Sequence, residues 1–69
     1  MTTAEQKVLR TFRQFLMTPG QMLCFHGPNL LQHQAALRQL SDKDLLVKEQ
    51  FKGGYSMTKA GYAAMNACD

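Results

Sequence analysis

Two adjacent glycines, Gly53-Gly54, stand between two short runs in which apolar and polar residues alternate. That arrangement leaves residues 45–61 one compact solution, a β-hairpin followed at once by a helix. Val47, Glu49 and Phe51 alternate before the glycines, and Tyr55 and Met57 alternate after them. A two-residue loop puts Met57 on the face opposite Val47. A three-residue loop, Lys52-Gly53-Gly54, pairs Phe51 with Tyr55 and keeps Val47, Phe51, Tyr55 and Met57 together. A slip of one residue moves every side chain to the other face, so the apolar set selects the three-residue loop. Thr58 is placed to cap a helix that begins at Lys59.

Upstream, Val8, Leu9, Phe12, Phe15 and Leu16 recur at helical spacing, with Lys7, Arg10, Arg13 and Gln14 on the other face. This predicts an amphipathic helix from about Thr3 to Met17. Thr3 to Gln6 fits a capping box, with Thr2 to Glu5 as the alternative register, and Thr18-Pro19-Gly20 ends the helix. Gln21 to His26 is apolar and too short for its period to separate helix from strand. As a strand it joins the sheet; as a helix it is the first helix of a helix-turn-helix. The turn Gly27-Pro28-Asn29, ending in a helix cap, favours the helix. Asn29 to Leu40 is a second clear helix, with Leu30, His33, Leu37 and Leu40 on one face and Ala36 at its edge. Leu31, Gln32, Ala35, Arg38 and Gln39 lie opposite. A polar connection, Ser41 to Asp44, leads into the first hairpin strand, and a short Ala-rich helix from Lys59 to about Cys68 closes the chain.

Leu46-Val47, the glycine-tipped hairpin, and Met57-Thr58-Lys59-Ala60-Gly61 resemble the wing region of winged helix-turn-helix regulators. The resemblance is to the MarR-like pattern, in which a "Gly-Leu-Val" strand is followed by "Leu-Thr-x-x-Gly". Met57 stands for the Leu, Thr58 for the Thr and Gly61 for the last Gly, while Asp44 stands where the pattern has its first Gly. The acidic and arginine residues usual in the wing are absent. The resemblance implies a mainly α fold with a small β-hairpin: a three-helix core, a two-stranded wing and a short C-terminal helix. It also implies sequence-specific binding of double-stranded DNA in transcriptional regulation.

Sixty-nine residues allow one domain, spanning 1–69. A core this small gains from dimerisation or a larger partner, and the apolar ends, Phe12 and Phe15 with Tyr62 and Met65, suggest a homodimer. At 45% hydrophobic, the chain suits a globular fold. No apolar run approaches the roughly 20 residues of a membrane span, and the N-terminus lacks the basic-then-apolar order of a secretory signal. Cys24 and Cys68 show no repeated spacing and fit reduced thiols in a cytoplasmic protein. The net charge of +3 is mild, but between Gln6 and Ser41 there are four basic residues and no acid. A basic half of this kind suits a polyanionic partner or is a solvated surface.

No enzyme and no cofactor are expected. A nucleophile needs a base and an orienting group converging on it, and no carboxylate accompanies Cys24 and His26. Cys24, His26, His33 and Cys68 lack the paired short spacings of a zinc site. Gly53-Gly54 lacks the Lys-Ser or Lys-Thr of a phosphate loop. His33 reads as a core or boundary histidine. The outward face of the Asn29–Leu40 helix carries the DNA expectation: Gln32 as the principal base reader, with Leu31, Ala35, Arg38 and Gln39 beside it. Asn29 and the first amides of the helix are placed to hold a phosphate. Lys52, at the hairpin tip, is placed to touch the DNA backbone. The rival expectation is a winged helix that serves as a protein-interaction module within a larger assembly, in which that helix face shows an apolar patch instead.

Overall fold

The computed structural model describes residues 1–67. The first helix, α1 (Thr3–Gln14), starts from the Thr2 register of the capping box. The Thr2 hydroxyl accepts from the Glu5 amide at 3.1 Å, and the Thr2 amide donates to the Glu5 carboxylate at 2.9 Å. This register gains a contact that the Thr3 register cannot make. Glu5 is buried, and its other carboxylate oxygen takes a 2.6 Å hydrogen bond from Lys43, 38 residues on. Donation from Lys43, then from the Thr2 amide, holds the Glu5 carboxyl down at about 2 against the opposing effect of burial. The helix ends earlier than Met17. Leu16 takes φ +54, its amide donates to the Arg13 carbonyl, and the Met17 amide donates to the Phe12 carbonyl. These two bonds form a Schellman motif that stops the helix three residues before Pro19.

The next segment is a strand, β1 (Met22–Cys24), which corrects the expectation of a helix over Gln21 to His26. It is the third strand of an antiparallel sheet. The remaining strands are β2 (Leu46–Lys48) and β3 (Gly54–Met57), and the order across the sheet is β1-β3-β2. Met22 pairs with Ser56 and Cys24 with Gly54, and the ladder runs on through the Phe25 amide to the Gly53 carbonyl at 2.8 Å. Pairing with β3 gives these backbone groups partners that four or five helical residues would not have. The sheet therefore has three strands, not the two of the expected wing. Gly27-Pro28 opens a helix instead of joining two, so the second helix of the expected three-helix core, the first of its helix-turn-helix, is missing.

That helix, α2 (Gly27–Asp42), has 16 residues and overruns the expected Asn29 to Leu40 at both ends. Pro28 fits its first turn, where its missing amide costs nothing. It ends in a second Schellman motif: the Asp44 amide donates to Ser41, the Leu45 amide donates to Leu40, and Asp44 takes φ +60.

The hairpin register also differs from the expected one. Leu46 lies opposite Met57, Val47 opposite Ser56, and Lys48 opposite Tyr55. The ladder continues from the Glu49 amide to the Gly54 carbonyl, and a turn closes where the Gly54 amide donates to Phe51. Leu46 and Met57 are each 2% exposed, whereas Val47 and Phe51 are 47% and 69% exposed. The register is set from the far end of the hairpin. The Thr58 amide donates to Leu45, and its hydroxyl donates to Asp44, before the last helix begins. That anchor places Leu46, not Val47, in the core.

The last helix, α3 (Lys59–Ala67), is capped by Thr58, whose hydroxyl accepts from the Gly61 amide at 3.0 Å. A Cβ on Gly61 would lie 1.9 Å from the Leu45 carbonyl oxygen, so only glycine allows α3 this close to the start of β2. The expected end near Cys68 lies outside the described residues. One cluster joins all three helices to the inner sheet face: Val8, Leu9 and Phe12; Phe25; Ala36, Leu37 and Leu40; Leu46, Tyr55 and Met57; and Met65. The chain is thus three helices with a small antiparallel sheet of three strands.

Candidate nucleic-acid interface

The core fixes which way α2 faces. Ala36, Leu37 and Leu40 are buried, and His33 is half-buried with its ring edge-on to Phe25 at 6.0 Å. Their burial turns Asn29, Leu31, Gln32, Ala35, Arg38 and Gln39 to solvent, and all six are exposed. Leu31, 74% exposed, is the one large apolar side chain on this face. Polar side chains surround it, so the face is not an apolar patch.

The start of α2 differs in detail from the expectation. His26 is the N-cap and makes no side-chain cap bond, so Asn29 lies inside the first turn and is not the cap. The Asn29 and Leu30 amides donate to the His26 carbonyl, and Pro28 has no amide to offer. Of the first backbone donors, only that of Gly27 is left to face an anion.

The hairpin tip lies against this same end of the helix. Gly53, at φ +76, packs so closely on β1 that an added Cβ would fall 2.2 Å from the Phe25 carbonyl oxygen and 3.5 Å from a Leu30 methyl. Lys52, its neighbour, is exposed. The tip is therefore an extension of the sheet fastened beside the first turns of α2, not a free arm. Lys52 and the residues from Asn29 to Gln32 share one end of the molecule.

Farther along α2, its flank forms a groove with the edge strand β2. The lining is Gln34, Arg38, Ser41, Asp42, Lys48 and Tyr55. Lys48 and Tyr55 are cross-strand partners, and neither was expected as a contact residue. Only the true hairpin register brings Lys48 to Tyr55 and both of them to Arg38.

The exposed apolar residues lie elsewhere. By strand alternation, Met22, Cys24, Val47, Glu49 and Ser56 share the outer face of the sheet. Phe51 stands beside them, its Cβ 3.2 Å from where Gly54 would carry its own, and Met22 borders the same spot. On that face the Ser56 hydroxyl donates to Glu49 at 2.5 Å, which satisfies a buried serine. Phe15 and Leu16 form a second exposed apolar site at the end of α1.

Cys24 is a half-buried free thiol on the outer sheet face, whereas His33 packs on Phe25 inside. Cys68 lies outside the described residues. Among the described residues no group of three His, Cys, Asp or Glu side chains is arranged to hold a metal, and no helix is long and apolar enough to cross a membrane. Comparison with models of known families, with curated proteins and with solved structures gave no match.

Proposed function

We propose that this protein is a winged-helix domain that binds double-stranded DNA sequence-specifically as a cytoplasmic transcriptional regulator, with α2 entering the major groove. The observation that carries this reading is the polar outward face of α2, which has Lys52 fastened beside its start and Arg38 and Lys48 along its flank. The wing-like motif adds physical support. Thr58 and Gly61 act as a linked pair, one capping α3 and the other admitting it against Leu45. With a strand in place of the helix expected over Gln21 to His26, α2 alone, steadied by the sheet, presents the reading face. In this reading Gln32 pairs with a base, while Leu31 and Ala35 meet thymine methyl groups. Lys52 neutralises a phosphate. No catalytic step belongs to the proposal.

Titration with a selected duplex and with random duplex across a salt series tests it. Gln32→Ala weakens the selected site by about 1–3 kcal/mol and leaves random duplex nearly unchanged. Lys52→Ala weakens both alike and lowers the salt slope by about one. Failure of the protein to bind any duplex more tightly than ~100 µM at low salt, below ordinary non-specific affinity, ends the DNA reading.

A second reading is favoured by the outer sheet face, where Met22, Val47 and Phe51 are all exposed. There the domain is a protein-interaction module, and Phe51→Ser abolishes partner capture while leaving duplex titrations unchanged.

A further inference from the structure

The groove between α2 and β2 has a floor and two walls of different chemistry. Tyr55 is the floor. Its ring packs edge-on against Phe25 at 6.4 Å, and only 7% of the residue meets solvent. Its hydroxyl has no hydrogen-bond partner among the described residues, yet it is not sealed inside. It therefore opens onto the groove that Tyr55 lines. A tyrosine buried this deeply ordinarily gives its hydroxyl a partner. Here the donor is left for something that enters.

Arg38 forms one wall and Lys48 the other. Neither pairs with an acid among the described residues. Gln34 adds an amide. Asp42 is the only acid in the lining and lies one turn beyond Arg38. The groove measures about 190 Å³, below the several hundred Å³ of pockets that enclose a whole drug-sized molecule. That is room for one compact oxyanion.

We infer that this groove is an anion site that takes a phosphate group, with Arg38 and Lys48 supplying the charge and the Tyr55 hydroxyl the donor at its base. A DNA backbone phosphate and a free phosphate monoester present the same chemistry; the first source rests on the DNA reading above and the second does not. Arg38 then holds phosphate instead of reading a base, and base reading falls to Gln32, Leu31 and Ala35. Asp42 at the rim disfavours a second anion beside the first.

The experiment has two arms. In the first, inorganic phosphate is titrated against chloride at matched ionic strength, with NMR shifts as readout. Shift changes gather at Arg38, Lys48 and Tyr55. Tyr55→Phe, which removes one oxygen and keeps the buried ring, weakens phosphate binding about tenfold without moving the thermal midpoint. Lys48→Gln, on an exposed edge, serves as the second variant and weakens phosphate binding likewise. In the second arm the same proteins are titrated with duplex DNA. Loss of duplex affinity in both variants, with a salt slope lower by about one in Lys48→Gln, assigns the phosphate to the DNA backbone. Phosphate binding with duplex affinity untouched, or with no duplex binding at all, supports the site and assigns it to a small phosphorylated ligand. Absence of localised shifts at the three residues overturns the site, even if duplex DNA binds. Shifts that are the same in wild type and in both variants overturn it as well.

Discussion

Leu16 and Asp44 each sit one residue past the C-cap of a main helix, in a backbone conformation that glycine fills most easily. For a leucine this conformation costs about 1–2 kcal/mol. Glycine would remove that cost but would give the unfolded chain more freedom, so Leu16→Gly raises the stability of the single chain by about 0.5–1 kcal/mol in chemical denaturation at concentrations too low for copies to pair. Asp44→Gly gains less, because aspartate visits this region more readily than leucine. Gly61 presents the opposite case. Its neighbour is a backbone carbonyl that cannot swing away, and Gly61→Ala costs about 2–3 kcal/mol in the same assay. Glu5 links stability to pH. Its folded carboxyl titrates at about 2, below its ordinary value of 4.5. Its contribution is therefore complete above about pH 4.5 and is lost as pH falls toward 2. Glu5→Gln keeps an acceptor for the cap but flattens the fall in stability across that window, as denaturant titrations at a series of pH values will show.

The elements divide by how much of their cause is local. α1 and α3 were legible because their caps lie within four residues of their starts and the apolar spacing of α1 repeats over three turns. The inward and outward faces of α2 were legible for the same reason, which is why all six of its proposed contact residues are exposed. β1 was not legible. Three residues carry no measurable period, and the partner that makes them a strand is 30 residues away. The hairpin register was missed for a similar reason. Leu46 and Val47 are adjacent and both apolar, and the choice between them is made by Thr58 holding Asp44 and Leu45. With the register went Lys48 and Tyr55, and hence the groove. At this scale Thr58→Val, which removes the hydroxyl and keeps the shape, costs about 1–2 kcal/mol through the lost cap. It also broadens the NMR signals of β2 as the anchor loosens.

For the whole molecule, the question is what stabilises so small a core. Two of the four residues expected to pair copies of the chain, Phe12 and Met65, are buried inside it. Phe15 and Leu16 remain outward, and Leu16 lies with Met17 and a half-buried Tyr62. Leu16 is 85% exposed and stands next to the shallow hollow lined by Met17 and Tyr62. A two-fold pairing can seat each copy's leucine in the other's hollow. On this surface we expect a homodimer, with its two α2 helices set about one helical turn of DNA apart, roughly 34 Å. Sedimentation at micromolar concentration checks it: wild type runs as a dimer and Leu16→Asp as a monomer.

The position of β3 in the sheet also sets an order in time. It is the middle strand, yet it is the last of the three to leave the ribosome. β1 and β2 are both complete earlier, and neither has any neighbour but β3. Until Gly54 to Met57 emerge, the growing chain holds two strands with nothing to join and a pair of helices missing one wall of their core. Folding therefore waits for the C-terminal quarter and then proceeds at once across the whole domain. A chain released at residue 53 should show helix signal without a cooperative melt, and extension through β3 and α3 should restore it.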